Sequence, residues 1–241
     1  MEYIIHSHRN ALTILENEPE FKEAWEEIKH ILTNLDEDTL RKCYEDNFQT
    51  KNKSLSTSIN SLLKKEFEDF DWSGESAIFQ DPHYDDPKSD YWRLDFAKDN
   101  ISIEVAFNHG SATAWNLLKP VLASELNHVR KAIQTKIGIV VVATAKMKKA
   151  GNFDGAIGYY DKYVDHLKPL MNQLSVPLLI IGLEAPKSFK IAKTPKGSKL
   201  KGLVVLLDED DVVADNFDDD DVPDNDFDYN EEDLQLSLLN S

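Results

Sequence analysis

Apolar and polar positions divide the chain into segments with different periods. The opening YIIHSH (3–8) predicts a short strand. Helical spacing follows over residues 9–18, 20–34 and 37–47, with breaks at Glu18-Pro19 and Leu35-Asp36. In PEFKEAWEEIKHIL, Phe21, Trp25, Ile28 and Ile31/Leu32 share one face, the stripe of an amphipathic helix. Residues 54–60 read as a loop that caps another helix over about 59–68. Residues 71–91 are rich in Trp, Gly, Asp and Pro and predict irregular chain, with a strand at 77–79.

Residues 92–97 and 101–108 form the next pair of strands, joined by a turn at Lys98-Asp99-Asn100. A long helix is expected over about 112–135. Its apolar residues Trp115, Leu118, Leu122, Leu126, Val129 and Ile133 recur every three or four positions, and Pro120 kinks it or marks its true start. IGIVVVATA (137–145) is a continuous apolar run, typical of a strand buried on both faces. An amphipathic helix over 156–174 and a second buried strand, PLLIIGLE (177–184), come next. PKSFKIAKTPKGSKLK (186–201) reads as a basic loop and GLVVLL (202–207) as an edge strand. Helices alternating with buried strands indicate an α/β fold. The expected organisation is a single domain over 1–207, with a helical part at 1–70 and a core at 75–207, followed by an acidic tail at 208–241.

The strand ISIEVAFN contains an anomaly. Ile101, Ile103, Val105 and Phe107 alternate with Ser102, Glu104, Ala106 and Asn108, so an acid sits between two β-branched residues. Asp95 lies nine positions earlier, after a short apolar run. If the two strands pair about the turn, Asp95 and Glu104 are neighbours. Two carboxylates converging at a strand end suit a hard, oxygen-seeking cation such as Mg²⁺. Such a cation polarises a phosphoryl oxygen and activates water for phosphodiester hydrolysis. The spacing alone also fits two surface acids on an edge strand.

Charge changes this picture. The net charge of −17 argues against nucleic acid, yet 15 acids and no Lys or Arg fall between Asp208 and the C-terminus. The remaining body carries 29 acids against 27 bases, and residues 119–202 hold 15 Lys or Arg against five acids. A basic middle region is suited to a polyanion. The single cysteine, Cys43, permits no internal disulfide. No apolar run approaches a membrane span, and the N-terminus lacks the layout of a signal peptide, so a cytoplasmic location is expected.

On these residues the chain resembles the BglII and BstYI type II restriction endonucleases, a branch of the PD-(D/E)xK nucleases. Asp95, an eight-residue spacer and Glu104-Val105 look like the family's catalytic strand pair. The opening IIHSHRNALTIL and AWEEIKHIL, the Ser124-Glu125-Leu126 segment, IGIVVVAT, the Gly-Tyr-Tyr at 158–160 and VPLLIIGLEAP fall in similar order. The resemblance implies a restriction-endonuclease-like core, a mixed central sheet flanked by helices. It implies a homodimer around double-stranded DNA and Mg²⁺-dependent cleavage within a short palindrome, with Mn²⁺ able to substitute. It also implies that Asp95, Glu104 and the carbonyl of Val105 hold the metal. Relatives characteristically read sites built around GATC.

One position departs from the family. Two residues after the catalytic Glu the family places Gln, Glu or Lys, and this chain has Ala106. Three explanations compete. Asn108, His109, Lys98 or Glu125 substitutes; the methyl leaves room for extra water, with substrate phosphate as base; or the site is impaired. Gln80 and Asp81 lie where relatives keep an additional polar group. Candidate DNA contacts are Lys98, Lys146, Lys148, Lys149, Asn152, Lys187, Lys190, Lys193, Lys196 and Lys199. Two other functions remain open: a catalytically impaired nuclease-fold DNA-binding protein, and an acidic-tailed protein-interaction module.

The tail at 208–241 is low in complexity and cannot bury enough surface to fold alone. It acts as a solubilising segment or as a DNA mimic that folds back on the basic surface. The second reading predicts that deleting residues 208–241 raises nonspecific DNA affinity at low salt. Filter binding or fluorescence anisotropy checks this, and an unchanged affinity leaves only the solubilising role.

Overall fold

The computed structural model describes residues 1–84, 91–125, 128–196 and 199–208, with only the backbone at 194–196, 199 and 200. The predicted acidic tail lies outside the described residues beyond Asp208. Residues Met1–Leu206 form one compact unit. No helix among the described residues is long and apolar enough to cross a membrane.

The centre is a pair of parallel strands, β5 (Ile137–Ala143) and β6 (Leu178–Leu183), buried at every position. Their continuous apolar sequences follow from burial on both faces. β1 (Tyr3–His8) adds antiparallel to β6. On the other side β4 (Ile101–Val105) pairs parallel with β5, and β3 (Arg93–Lys98) and β2 (Ser73–Ala77) follow antiparallel. The six-stranded mixed sheet has the order β1-β6-β5-β4-β3-β2. The turn between β3 and β4 is two residues long. Asp99 and Asn100 sit at φ 45° and 65°, as a type I′ hairpin turn requires.

Alternation sends the two faces of these strands into different cores. One face, including Ile101, Ile103, Ile139, Val141 and Ile181, packs under α1 (Ala11–Asn17), α2 (Pro19–Asn34), α3 (Glu37–Cys43) and α4 (Ser56–Asp69). The α2 stripe buries Phe21, Trp25, Ile28, Ile31 and Leu32, and Pro19 occupies the first turn, where its missing N–H costs nothing. The Asp36 side chain caps α3 by accepting the Thr39 N–H at 2.8 Å. The opposite face, with Ala106, Val140, Val142 and Ile180, packs against α5 (Thr113–Ser124) and α7 (Tyr160–Leu167). Between β5 and α7 lies α6 (Ala145–Ala150), capped by Thr144.

Several sequence expectations need correction. The helix expected to run to 135 ends at Ser124. Arg130 accepts the Gln80 N–H at 2.8 Å, and Ala132 donates to Ile78 at 3.0 Å. Residues 130–132 therefore run beside 78–80, and Val129 and Ile133 reach a core from extended chain rather than a helix. Their helical spacing is incidental. The helix expected over 156–174 is confined to Tyr160–Leu167, and β4 ends at Val105 rather than 108. The expected basic loop is a strand, β7 (Phe189–Lys196), paired antiparallel with β8 (Lys199–Leu206) as a separate two-stranded sheet. Buried Phe189 and Ile191 alternate with outward residues, a signal that the density of lysines concealed.

Gly138 of β5 sets how closely α5 approaches the sheet. A methyl group there would lie 2.3 Å from Pro120 Cβ and 2.6 Å from Leu178 Cδ2. We expect Gly138→Ala to cost about 1–3 kcal/mol through overpacking, measured as a lower urea midpoint.

Candidate active site

The β3–β4 hairpin brings Asp95 and Glu104 together. Its ladder pairs Phe96 with Ile103, Ala97 with Ser102 and Lys98 with Ile101, so continued register sets Asp95 opposite Glu104. Beyond Phe96 the paired ladder gives way. The Val105 backbone N–H donates to Asp95 Oδ2 at 2.6 Å, so a side chain takes the place of a backbone acceptor. The Asp95 carboxylate thereby lies beside the peptide groups that follow Glu104.

Glu104 is 2% exposed. Its Oε2 accepts a hydrogen bond from Lys119 Nζ of α5 at 2.7 Å, a buried ion pair. Its Oε1 is buried with no hydrogen-bond partner among the described residues. Burial pushes the Glu104 carboxyl up to about 8, and the charge of Asp95 pushes the same way; Lys119 and, less strongly, the nearby Asp95 backbone N–H oppose both. Each acid thus feels the other. A divalent cation between them would remove that repulsion and favour the ionised form. Two coupled carboxylates, one with an unsatisfied buried oxygen, fit a hard cation.

Asp95 and Val105 also line a cleft with Asn60 and Lys64, one turn apart on α4, and with Glu75. On the α5 side, buried Asn116 donates to the Tyr163 hydroxyl at 2.7 Å and to Asn108 Oδ1 at 2.9 Å. Burial pushes the Tyr163 hydroxyl up to about 12; its bond with Asn116 pulls it back, and nearby Glu104 adds to the rise.

Lys119, Asn116, Asn60 and Lys64 were not singled out from sequence. The available signal for Lys119 was a lysine inside the apolar run NLLKPVL, four positions after Trp115 and three before Leu122 on the predicted helical stripe. Each expected substitute for position 106 has a partner of its own. Lys98 Nζ binds both Glu27 oxygens at 2.8 and 2.9 Å and the Phe70 carbonyl at 2.8 Å, tying the hairpin to α2. His109 Nδ1 accepts the Ser111 N–H at 3.1 Å and caps a short turn. Asn108 is exposed and anchored by Asn116. Glu125 terminates α5 and accepts from the Ser175 hydroxyl. Upstream, exposed Asp81 accepts the His83 N–H at 2.9 Å.

The candidate DNA contacts divide similarly. Lys146, Lys148 and Lys149 lie on α6, which follows β5 at the end of the parallel strands where Val105 also ends. Lys146 and Lys149 are exposed; Lys148 donates to the Gly155 carbonyl and lies over the Tyr159 ring. Asn152, at φ 52°, donates to the Lys53 carbonyl at 2.6 Å, a structural bond. Lys187 pairs with Glu2. Lys190 and exposed Lys193 lie on β7; Lys196 and Lys199 face each other across the β7–β8 turn, and their side chains lie outside the description.

A raised acid pKa has a definite sign in stability. Folded Glu104 retains a proton that the unfolded chain releases above its ordinary 4.5. The resulting stability is fully present below that value and is lost as pH rises toward about 8. In the metal-free protein, Glu104→Gln is expected to flatten the decline in unfolding free energy between those two values. Urea titrations in chelator check this, and an unchanged slope contradicts it.

A family model for restriction endonuclease BglII/BglIII matches residues 3–183. The crystal structure of restriction endonuclease BglII complexed with a DNA 16-mer is similar at a TM-score of 0.58 and 17% identity, covering 86% of this chain and 100% of that one. The crystal structure of free BglII gives 0.48 and 16% over the same shares. No curated protein matches the chain. At this identity the DNA complex shows a shared fold, whereas the family match extends over most of the chain and includes both strands of the acid pair. The chain belongs to the BglII/BglIII restriction endonuclease family, whose members are type II site-specific deoxyribonucleases.

Proposed function

We propose that this chain hydrolyses phosphodiester bonds of double-stranded DNA within a short palindromic site, as a homodimer and with Mg²⁺. Asp95, Glu104 and the Val105 carbonyl would hold the ion. The observation that carries this reading is the pairing of a carboxylate bonded to the Val105 N–H with a second, charge-coupled carboxylate whose buried Oε1 has no hydrogen-bond partner among the described residues. When bound, the cation supplies Lewis-acid stabilisation of phosphate charge and activates water.

The protein's own groups orient and exclude. Asp95 anchors the Val105 peptide, fixing the carbonyl that follows Glu104 in the chain. The apolar contacts of Ala106 with α5 and β5 exclude water from the inner side of the acid pair. Asn60 and Lys64 border the open side and suit a phosphate oxygen. The exposed lysines of α6 offer backbone contacts that position a duplex without reading its sequence. Mn²⁺ is expected to replace Mg²⁺, since both accept hard oxygen donors. A GATC-centred site is part of this proposal through the family resemblance alone.

DNA of known sequence incubated with Mg²⁺ tests the reading. Discrete fragments are expected, with ends that map to one palindrome and vanish in chelator. Asp95→Asn should slow cleavage by roughly 10²-fold or more, the scale of several kcal/mol of charge stabilisation. Sequence-specific binding without cleavage would favour the impaired DNA-binding reading, which rests on Ala106. Neither binding nor cleavage would favour the interaction module.

A further inference from the structure

The methyl group of Ala106 is 2% exposed and packs in the cluster that contains Leu117 and Val121 of α5. The strand position beside Glu104 is therefore covered by a helix. What that helix brings to Glu104 is an amine: Lys119 is 9% exposed, and its Nζ lies 2.7 Å from Oε2.

Packing alone gives no reason for a lysine there. Its neighbours Leu117, Pro120 and Val121 are core residues, and replacing a buried ion pair by apolar side chains is often neutral or stabilising. The helix is also held firmly where the amine projects. Pro120 sits against Gly138 with no room for a methyl group, and Asn116, one turn back, is tied to Tyr163 and Asn108. The ammonium thus has a fixed origin. It occupies one oxygen of Glu104, while the other, also buried, has no partner among the described residues. A carboxylate satisfied on one side and open on the other is arranged for a second cation.

We propose that Lys119 supplies, from α5, the polar group that position 106 lacks just beyond β4: a fixed positive charge that positions Glu104 through Oε2 and leaves Oε1 for the metal. The inference rests on the reading of Asp95 and Glu104 as the metal-holding pair. Lys119 is a positioning residue, since its observed contact in the site is with Glu104. Its charge stays in place during the reaction and adds to the field that offsets charge developing on the phosphate.

The test uses the full chain with Lys119→Met, Ala106→Lys/Lys119→Met and Asp95→Asn. Single-turnover cleavage with Mg²⁺ is measured beside Mn²⁺ binding by calorimetry without DNA. Lys119→Met is expected to cleave about 10²–10³-fold more slowly, the range for loss of one preorganised electrostatic group. It should bind Mn²⁺ at least as tightly as the parent, because a positive charge beside the ion has gone. Adding Ala106→Lys should restore the rate at least tenfold. Cleavage by Lys119→Met within about threefold of the parent, with Asp95→Asn inert, would overturn the inference and leave the proposed function standing. Loss of Mn²⁺ binding in parallel with the rate would also overturn it, reducing Lys119 to a structural prop. An Asp95→Asn variant as active as the parent would remove the proposed function itself. If Lys119→Met does not fold, Lys119→Gln, which can keep a donor to Oε2 without the charge, decides alone: cleavage at least tenfold slower with Mn²⁺ binding retained supports the inference, and cleavage within about threefold of the parent ends it.

Discussion

The site depends on one hydrogen bond, from the Val105 backbone N–H to Asp95. Antiparallel strands ordinarily satisfy such a donor with a partner carbonyl. Here a carboxylate does so, and the β3–β4 ladder gives way at that point. A charge-assisted bond is roughly twice as strong as a neutral one. The substitution keeps the donor satisfied while holding an acid beside Glu104. Burial and then the charge of Asp95 raise the Glu104 pKa, an expense that a bound divalent cation would offset.

The surrounding packing keeps this arrangement in place. The acid pair lies beside buried parallel strands whose backbone positions are fixed from both faces. Gly138 permits α5 to approach closely enough for Lys119 to reach Glu104. The Asn116–Tyr163 bond secures the same helix one turn earlier. At the far end of the hairpin, Lys98 is joined to Glu27 and to the Phe70 carbonyl, which fixes the turn relative to the N-terminal helices. Two lysines therefore serve different ends: one secures the hairpin, the other approaches its acid.

Charge follows the same division. Lysines that look alike in a count separate once their partners are known. Lys187 and Lys98 are engaged in ion pairs, whereas Lys146 and Lys149 remain exposed at the C-terminal end of the parallel strands. Loops and helix starts at that end of an open α/β sheet are where ligands commonly bind. In the proposed function this exposed pair would contribute phosphate contacts and a salt-dependent affinity.

By itself the sequence determined the elements with strong local signals. Continuous apolar runs specified β5 and β6, an amphipathic stripe specified α2, and a strand pair about a turn at Lys98-Asp99-Asn100 brought Asp95 near Glu104; the structure shortens that turn to Asp99-Asn100 and thereby sets the register. Those signals are local because burial on one or both faces imposes a period on neighbouring residues. Where the reading failed, distant partners outweighed local pattern. Residues 130–132 have helical spacing but pair with 78–80, and the lysine-rich segment at 186–201 contributes β7 and part of β8 to a hairpin. The largest omission was Lys119, fifteen positions from Glu104, which no spacing rule links to it. Only the tertiary structure decided that contact, because it depends on how closely one helix can lie on a sheet, and that distance is set by a glycine in another strand.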